Sequence, residues 1–187
     1  MFQIVKVPND ILTTPARPID KIDRKVLEFV EGMKKTLVGT KNPKGVGLAA
    51  PQVGRGLRIF IAKPTPKAPF SVFINPQIIW TSDDKTDGVP RPASSEKPDN
   101  KFEGCLSIPN VWGIVQRHQS LKVTYQDEAG KKHTKTFKGF LATIIQHEVD
   151  HINGILFTQR VLEQKNKLYK ITGQDKEGKD MFEEIEI

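Results

Sequence analysis

One segment of the chain, residues 139–153, constrains the fold and the chemistry more than any other. Its sequence, GFLATIIQHEVDHIN, predicts a helix that is apolar on most of its surface. Such a helix belongs in the middle of a core, and Gly154 is well suited to end it. Two histidines and a glutamate lie within it. Because burying polar groups without partners is costly, something must compensate for them.

The two histidines, His147 and His151, are four positions apart, so both imidazoles project from the same side of the helix. Two such rings can bind one metal ion at about 2.0–2.1 Å. Glu148 follows the first histidine and can reach a water on the metal without being a ligand. The HExxH pattern has only three fixed positions and also occurs by chance, but the apolar surroundings favour a metal site.

A catalytic site of this kind needs a third protein ligand, and the residues leave two alternatives open. Peptidases with the same helix motif take it from a downstream His, Glu or Asp. No histidine follows His151, but Glu163 and later acidic residues do. The other alternative is Cys105, in the segment Glu103–Ser107. A thiolate with two imidazoles leaves a fourth position open for catalysis, although a lone cysteine is more often a small buried hydrophobic residue.

A glycine-rich segment, residues 45–52 with the sequence GVGLAAPQ, is the third notable motif. Glycine pairs often form a tight turn before a strand. A backbone left bare of side chains can also pair with an extended peptide, and Gln52 would then add an amide donor. The segment alone does not decide between these interpretations.

Length and composition predict one soluble catalytic domain, residues 1–187. Hydrophobic residues make up 37% and charged residues 27%, and no apolar run is long enough for a membrane span. A single cysteine excludes an intramolecular disulfide, which together with the absence of a signal-like N-terminus favours the cytoplasm. The net charge of +7 permits contact with nucleic acid, but the lysines are scattered, so we predict no specific nucleic-acid binding and no membrane association.

The remaining pattern predicts an α+β fold, because strands and helices do not alternate regularly. A helix is expected over residues 20–37 with Asp20 as its N-cap, and residues 81–101 are expected to form a long exposed loop. The tail from Leu168 onward predicts a short hairpin. The other predicted strands are residues 58–62, 71–80, 120–126 and 131–137, of which the last two form a hairpin.

Taken together, the three motifs resemble the signature motifs of the peptide deformylase family. GxGLAAPQ is present at residues 45–52, EGCLS at 103–107 and QHExDH at 146–151, in the family's order and without a mismatch. The resemblance covers most of residues 1–160. It implies antiparallel β-sheets packed around a central HExxH helix, with an N-terminal helix. It also implies that Cys105 is the third metal ligand, beside His147 and His151.

The resemblance implies the reaction as well: hydrolysis of the N-formyl group from the initiator methionine of nascent proteins, with release of formate. Glu148 would be the general base, and the Gln52 amide and the Leu106 backbone N–H would stabilise charge on the formyl oxygen. One divalent metal ion per chain is expected. The ligand set suits several ions, and the resemblance implies Fe2+ physiologically, with Zn2+, Ni2+ or Co2+ able to substitute.

Substrate binding is expected to depend on the peptide backbone, because nascent chains vary after their first residue. The backbone edges predicted to bind it are Val46, Gly47 and Gly104. An apolar pocket for the methionine is predicted on the ligand side of the central helix, lined by Phe140, Thr143 and Ile144.

Some points stay open at this stage. The loop at 81–101 is longer than in compact family members, and the tail lacks the pattern of the long C-terminal helix through which some members dock on the ribosome. Only a transient ribosome contact is therefore expected. Glu103 and Arg117 either pair to hold the EGCLS strand or form a solvated surface pair. Asp150 either orients a neighbouring group or faces solvent.

Two rival functions are compatible with parts of the sequence. A peptidase using Glu163 or another late carboxylate as third ligand would cleave internal peptide bonds. A basic module binding nucleic acid or the ribosome would use the metal structurally, but structural sites usually have four protein ligands and only three are found.

Overall fold

A five-stranded antiparallel sheet forms the centre of the structure, which is a computed structural model describing residues 1–41, 43–86, 102–174 and 180–186. Its strand order is β1-β2-β3-β8-β9, and a second antiparallel sheet has the order β11-β10-β6-β5. The strands are β1 (Gly47–Ala49), β2 (Ile59–Ala62), β3 (Ser71–Thr81), β4 (Lys85–Thr86), β5 (Glu103–Cys105), β6 (Ile108–Gly113), β7 (Arg117–His118), β8 (Ser120–Gln126), β9 (Lys132–Lys138), β10 (Leu168–Gln174) and β11 (Asp180–Glu184).

The central sheet is covered on both faces by helices, which explains the uninterrupted apolar sequence of β2. Ile59 and Ile61 pack with the N-terminal helix α1 (Arg24–Gly39), whereas Phe60 and Ala62 pack with α2 (Gly139–Ile152). Alternate residues of a strand face opposite sides of the sheet, so a strand buried on both faces is apolar throughout. The predicted α+β arrangement around a central helix is confirmed.

The N-terminal helix begins later than predicted, and the expected cap at Asp20 is wrong. Asp23 is the N-cap: its backbone is extended and its carboxylate accepts a hydrogen bond from Val26 N at 3.0 Å. Two aspartates precede the apolar pattern, and the one that can reach a free N–H three residues later caps the helix. Ile22 lies before the helix and still packs against its core.

The central helix α2 ends as predicted, beside Gly154. Asn153 caps it, and Gly154 follows with φ +74°, a conformation that favours glycine. A Cβ at Gly154 would lie 2.7 Å from the carbonyl oxygen of Thr13, so the turn also brings the N-terminal segment close. His151 lies in the last turn of the helix and His147 in the turn before it, so this close packing at the helix end helps to hold both in place.

The second sheet packs against the short helix α3 (Phe157–Glu163) and places Cys105. Its small core contains Cys105, Phe157 and Val161. The C-terminal tail forms the hairpin β10–β11, as predicted, and β10 extends this sheet by pairing with β6. The strand that carries the cysteine is therefore joined, through β6, to the end of the chain.

The predicted loop at residues 81–101 is partly wrong. Thr81 still belongs to β3, and Lys85–Thr86 forms β4, which pairs with β7. Short strands of this kind lack an apolar pattern and depend on a partner strand, so the sequence does not reveal them. Residues 87–101 lie outside the described part of the chain. Within that part, no helix has the length and apolar character needed to span a membrane.

Candidate metal centre and catalytic site

Cys105, His147 and His151 meet at one point between the central helix and the second sheet. Their ligand atoms all lie within 4.8 Å of one another, and Cys105 Sγ is 3.1 Å from His151 Nε2. The helix places the two imidazoles on one side, and β5 brings the thiol to them. The structure thus brings together the three predicted ligands, in a group that can hold one metal ion.

The sulfur of Cys105 lies in an environment that favours the thiolate. Burial would raise the pKa of the thiol, but the neighbouring His151 and His147 outweigh burial and hold the pKa well below its ordinary value. Gln52 Nε2 and the backbone N of Ser107 each donate a hydrogen bond to the sulfur at 3.4 Å. Since the thiolate is the form that binds metals, this environment suits a ligand.

His147 is oriented by the carboxylate of Glu103, whose Oε1 lies 2.6 Å from His147 Nδ1. Burial would raise the pKa of Glu103, but Arg117 and His147 lower it to about 2. The carboxylate is therefore ionised and can only accept a hydrogen bond, so Nδ1 carries the proton. Burial lowers the pKa of His147, but Glu103 and Cys105 raise it well above its ordinary value, so a metal ion must displace the Nε2 proton that faces the sulfur.

The pair between Glu103 and Arg117 is buried rather than solvated. Arg117 Nη2 donates to Glu103 Oε1 at 2.7 Å, and the two side chains are only 5% and 12% exposed. Arg117 also donates to Asp150, which accepts a second hydrogen bond from Arg160 at 2.8 Å. Asp150 therefore faces the protein interior. The network connects the helix, β5 and α3 around the first histidine ligand.

Replacing Arg117 by methionine is expected to destabilise the protein by about 3–5 kcal/mol, because Glu103 and Asp150 would remain buried without their cation. Urea unfolding of the two proteins measures the difference. Arg24→Met is the matched control. Arg24 forms an exposed ion pair with Glu28, so its loss should change the free energy of unfolding little. Equal stability of the Arg117 variant and the wild type would contradict the network's role.

Glu148 is buried beside the three predicted ligands, with 3% of its surface exposed. Burial raises its pKa to about 7, against the partial opposition of His147 and His151. Its Oε2 atom is buried and has no hydrogen-bond partner among the described residues. A carboxylate with this pKa can accept and return a proton near neutral pH.

Gly47 makes room for this carboxylate. A Cβ at Gly47 would lie 2.8 Å from Glu148 Cδ and 2.9 Å from Ile144 Cγ2, closer than real carbon atoms approach. The first strand therefore passes Glu148 and Ile144 in their present positions because residue 47 has no side chain, and an added Cβ would force them to shift. The glycine is needed for space here, whereas the sequence suggested only a turn or a bare edge.

Gly47→Ala is expected to lower kcat by about 100-fold or more, because the added methyl group would displace Glu148 from the reacting atoms. Steady-state formate release, the activity that the sequence resemblance implies, measures the change. Gly56→Ala is the control, since nothing lies within 4 Å of a Cβ at that position. A Gly47→Ala protein with the wild-type kcat would contradict the prediction, because it would show that a methyl group at residue 47 does not displace Glu148.

A cavity of about 260 Å³ opens beside this group. Cys105, His147, Glu148, Gln52 and Leu106 lie along it, whereas His151 is buried behind them. The predicted substrate-binding residues all line it: Val46, Gly47, Gly104, Phe140, Thr143 and Ile144. Sequence reasoning missed four further lining residues: Pro43, Lys44, Phe102 and Trp112. Of these four, only Phe102 could have been inferred from the sequence, because it directly precedes the EGCLS motif.

The alternative third ligand, Glu163, is not part of the metal-binding group. Its carboxylate is exposed and pairs with Arg160 Nη1 at 2.9 Å. Glu163 is the last residue of α3 and lies on the protein surface. Its carboxylate accepts hydrogen bonds from Arg160 and Gln159. The geometry thus favours Cys105 over the arrangement that a peptidase of the rival type would use.

Two histidines of an HExxH helix and a cysteine from a neighbouring strand, with a buried glutamate beside them in an α+β fold, define the chain as a metallohydrolase. The chain belongs to the peptide deformylase family: a family model described as polypeptide deformylase matches residues 1–167. A peptide deformylase of Borreliella burgdorferi is 41% identical over 170 residues, which are 90% of this chain and 93% of that protein.

Solved structures show the same fold. A peptide deformylase from Synechococcus elongatus in complex with actinonin has a TM-score of 0.72 and 33% identity, covering 85% of this chain and 78% of that one. The peptide deformylase from Thermotoga maritima has a TM-score of 0.72 and 31% identity, covering 86% and 97% of the two chains. Members of this family depend on a metal ion, which agrees with the group formed by Cys105, His147 and His151 in this chain.

Proposed function

We infer that this chain acts as a peptide deformylase, hydrolysing the N-formyl group of the initiator methionine of nascent proteins and releasing formate. The observation that carries this inference is the meeting of Cys105, His147 and His151 beside the buried carboxylate of Glu148. A cavity leads to these groups and is bordered by bare backbone, which suits the end of a peptide.

Cys105, His147 and His151 would hold one divalent metal ion. The low pKa of the thiol, and the contact of His147 Nδ1 with Glu103 that directs Nε2 toward the other two donors, suit such an ion. A bound ion supplies Lewis-acid activation of a water and of the formyl carbonyl. We propose Fe2+ as the physiological ion, with Zn2+, Ni2+ or Co2+ able to replace it, since all suit a thiolate with two imidazoles.

Glu148 takes the proton of the attacking water as general base and returns it to the leaving amine. Its pKa of about 7 supports both transfers, because the ionised and protonated forms are then both accessible. The Gln52 amide and the Leu106 backbone N–H donate to the formyl oxygen as charge develops there. One such donor typically lowers the barrier by about 3–4 kcal/mol. Gln52 is held for this by Ala49 N, which donates to its Oε1 at 2.8 Å.

The substrate is held mainly by its backbone, against the edges formed by Val46, Gly47 and Gly104. Phe140, Thr143 and Ile144 form the apolar pocket for the methionine side chain. All six residues line the cavity that leads to Glu148, which supports this assignment. Thr143 Oγ1 is buried without a hydrogen-bond partner among the described residues, so a polar substrate atom can satisfy it.

The reaction is assigned to the cytoplasm, where the protein acts on nascent chains and contacts the ribosome only transiently. The single buried, thiolate-favouring cysteine supports a reducing compartment. Residues 1–187 act as one catalytic domain in this proposal, since Cys105 comes from one sheet and the two histidines from the helix that covers the other.

Formate release from formyl-Met-Ala-Ser by protein purified anaerobically tests the function directly. The matched control substrate is acetyl-Met-Ala-Ser, which differs by one methyl group and should be hydrolysed far more slowly. Mass spectrometry of the same reactions shows whether any internal peptide bond is cut. Protein that contains metal but liberates no formate, or that cleaves internal bonds instead, would overturn the proposal.

A further inference from the structure

The C-terminal hairpin β10–β11 reaches the wall of the catalytic cavity, although it lies beyond the residues that match the family model. The match ends at residue 167, and β10 begins at Leu168. In the second sheet, β10 pairs with β6, and Tyr169 is opposite Trp112. The hairpin therefore continues the sheet that carries the EGCLS strand.

Phe182 of this hairpin contacts both aromatic residues of the cavity wall. Its ring centroid is 4.5 Å from that of Phe102 and 6.4 Å from that of Trp112, the latter at an interplanar angle of 86°. Tyr169 adds a third contact, 4.8 Å from Phe102. Aromatic pairs with these separations and tilts attract one another beyond simple area burial. We define these four residues as the aromatic wall cluster.

Trp112 lies over the backbone that is proposed to pair with the substrate. A Cβ at Gly104 would be 2.6 Å from Trp112 Cζ3, so the indole ring covers that glycine. The indole Nε1 is buried and has no hydrogen-bond partner among the described residues. The ring's position thus helps to determine the shape of the cavity along Gly104.

The wall lies away from the metal-binding group. Phe102 directly precedes β5 and lies three residues before Cys105, which separates them by at most about 10 Å of extended chain. A peptide paired with this strand, its formyl end at the metal, reaches Phe102 only with the residues that follow methionine. In that arrangement the second and third residues of the substrate would contact the wall.

We propose that Phe182 is a positioning residue: it holds Phe102 and Trp112 as the outer wall that binds the substrate residues after methionine. The proposal rests on the deformylase function. Phe182 itself is 39% exposed and does not line the cavity. It acts on substrate binding only by holding the rings of Phe102 and Trp112 in place. The hairpin thereby adds affinity for longer peptides without contacting the reacting atoms.

The test compares formyl-Met-Ala with formyl-Met-Ala-Ser-Ala as substrates. Phe182→Ala is expected to raise KM for the longer peptide by roughly three- to tenfold, the loss of one aromatic contact, while kcat and KM for the shorter one stay unchanged. Phe182→Tyr keeps the ring and should restore wild-type values. Met181→Ala is the control, because Met181 is the exposed neighbour on the opposite face of the strand.

Tryptophan fluorescence reports separately on the wall. In a Trp80→Phe background Trp112 is the only tryptophan, so Phe182→Ala should shift its emission to longer wavelength, and Met181→Ala should not. Unchanged emission, or KM values that rise equally for both peptides, would overturn the proposal. Absence of formate release by the wild type would instead refute the deformylase function, so the two failures are distinguishable.

Discussion

Glu148→Gln is expected to abolish formate release while the protein keeps its metal. Glutamine has nearly the same shape but cannot accept the proton of the attacking water, and loss of a general base typically costs about 10²–10⁴-fold in rate. The metal stays because Glu148 is not one of its proposed ligands. Single-turnover formate release, with elemental analysis of the same sample, measures both quantities.

The pH dependence of the wild type is a second readout of the same residue. With a pKa of about 7 in the folded protein, the carboxylate is protonated in more acidic solution, so kcat/KM should fall as the pH drops below about 7. Glu163→Gln is the control, since that carboxylate is exposed and bonded to Arg160. Full activity of the Glu148→Gln protein would remove Glu148 from the mechanism.

Cys105→Ser is expected to lose the metal and, with it, activity. A serine hydroxyl keeps its proton at neutral pH and is a poor ligand, whereas the thiol of Cys105 is held in the ionised form by His151 and His147. Metal content after dialysis against a chelator should fall well below that of the wild type. Elemental analysis and formate release are measured together.

The peptidase alternative predicts the opposite result for this pair of residues. If Glu163 were the third ligand, Cys105→Ser would retain its metal and Glu163→Gln would lose it. The structure places the thiol 3.1 Å from His151 Nε2 and leaves Glu163 on the surface, so we expect Glu163→Gln to behave as the wild type. Retained metal in Cys105→Ser would contradict the proposed ligand set.

The local parts of the fold follow from the sequence because their patterns are local. The hairpin β8–β9 alternates apolar and polar residues around a turn at Gly130, whose φ is +77°. The central helix is apolar because it lies against the central sheet. The sequence places the N-cap of the first helix three residues too early, at Asp20 instead of Asp23. Both aspartates suit an N-cap, and only the backbone conformation distinguishes them.

The site could be predicted only in part, for a physical reason. Two of the proposed ligands, His147 and His151, are about one helical turn apart, so their spacing alone predicts that they lie side by side. Cys105 is 42 positions before His147, and no periodicity specifies which strand reaches the helix; the choice over Glu163 came from the family resemblance. The burial of Glu103 likewise depends on Arg117 in another strand, and the aromatic wall cluster depends on pairing between β6 and β10.

X-ray absorption spectroscopy at the metal edge of the zinc-loaded protein tests the proposed ligand set most directly. The account predicts one sulfur and two imidazole nitrogens bound to one ion per chain, with the sulfur signal absent in any Cys105→Ser protein that can be loaded. A spectrum with only nitrogen and oxygen ligands in the wild type would contradict it.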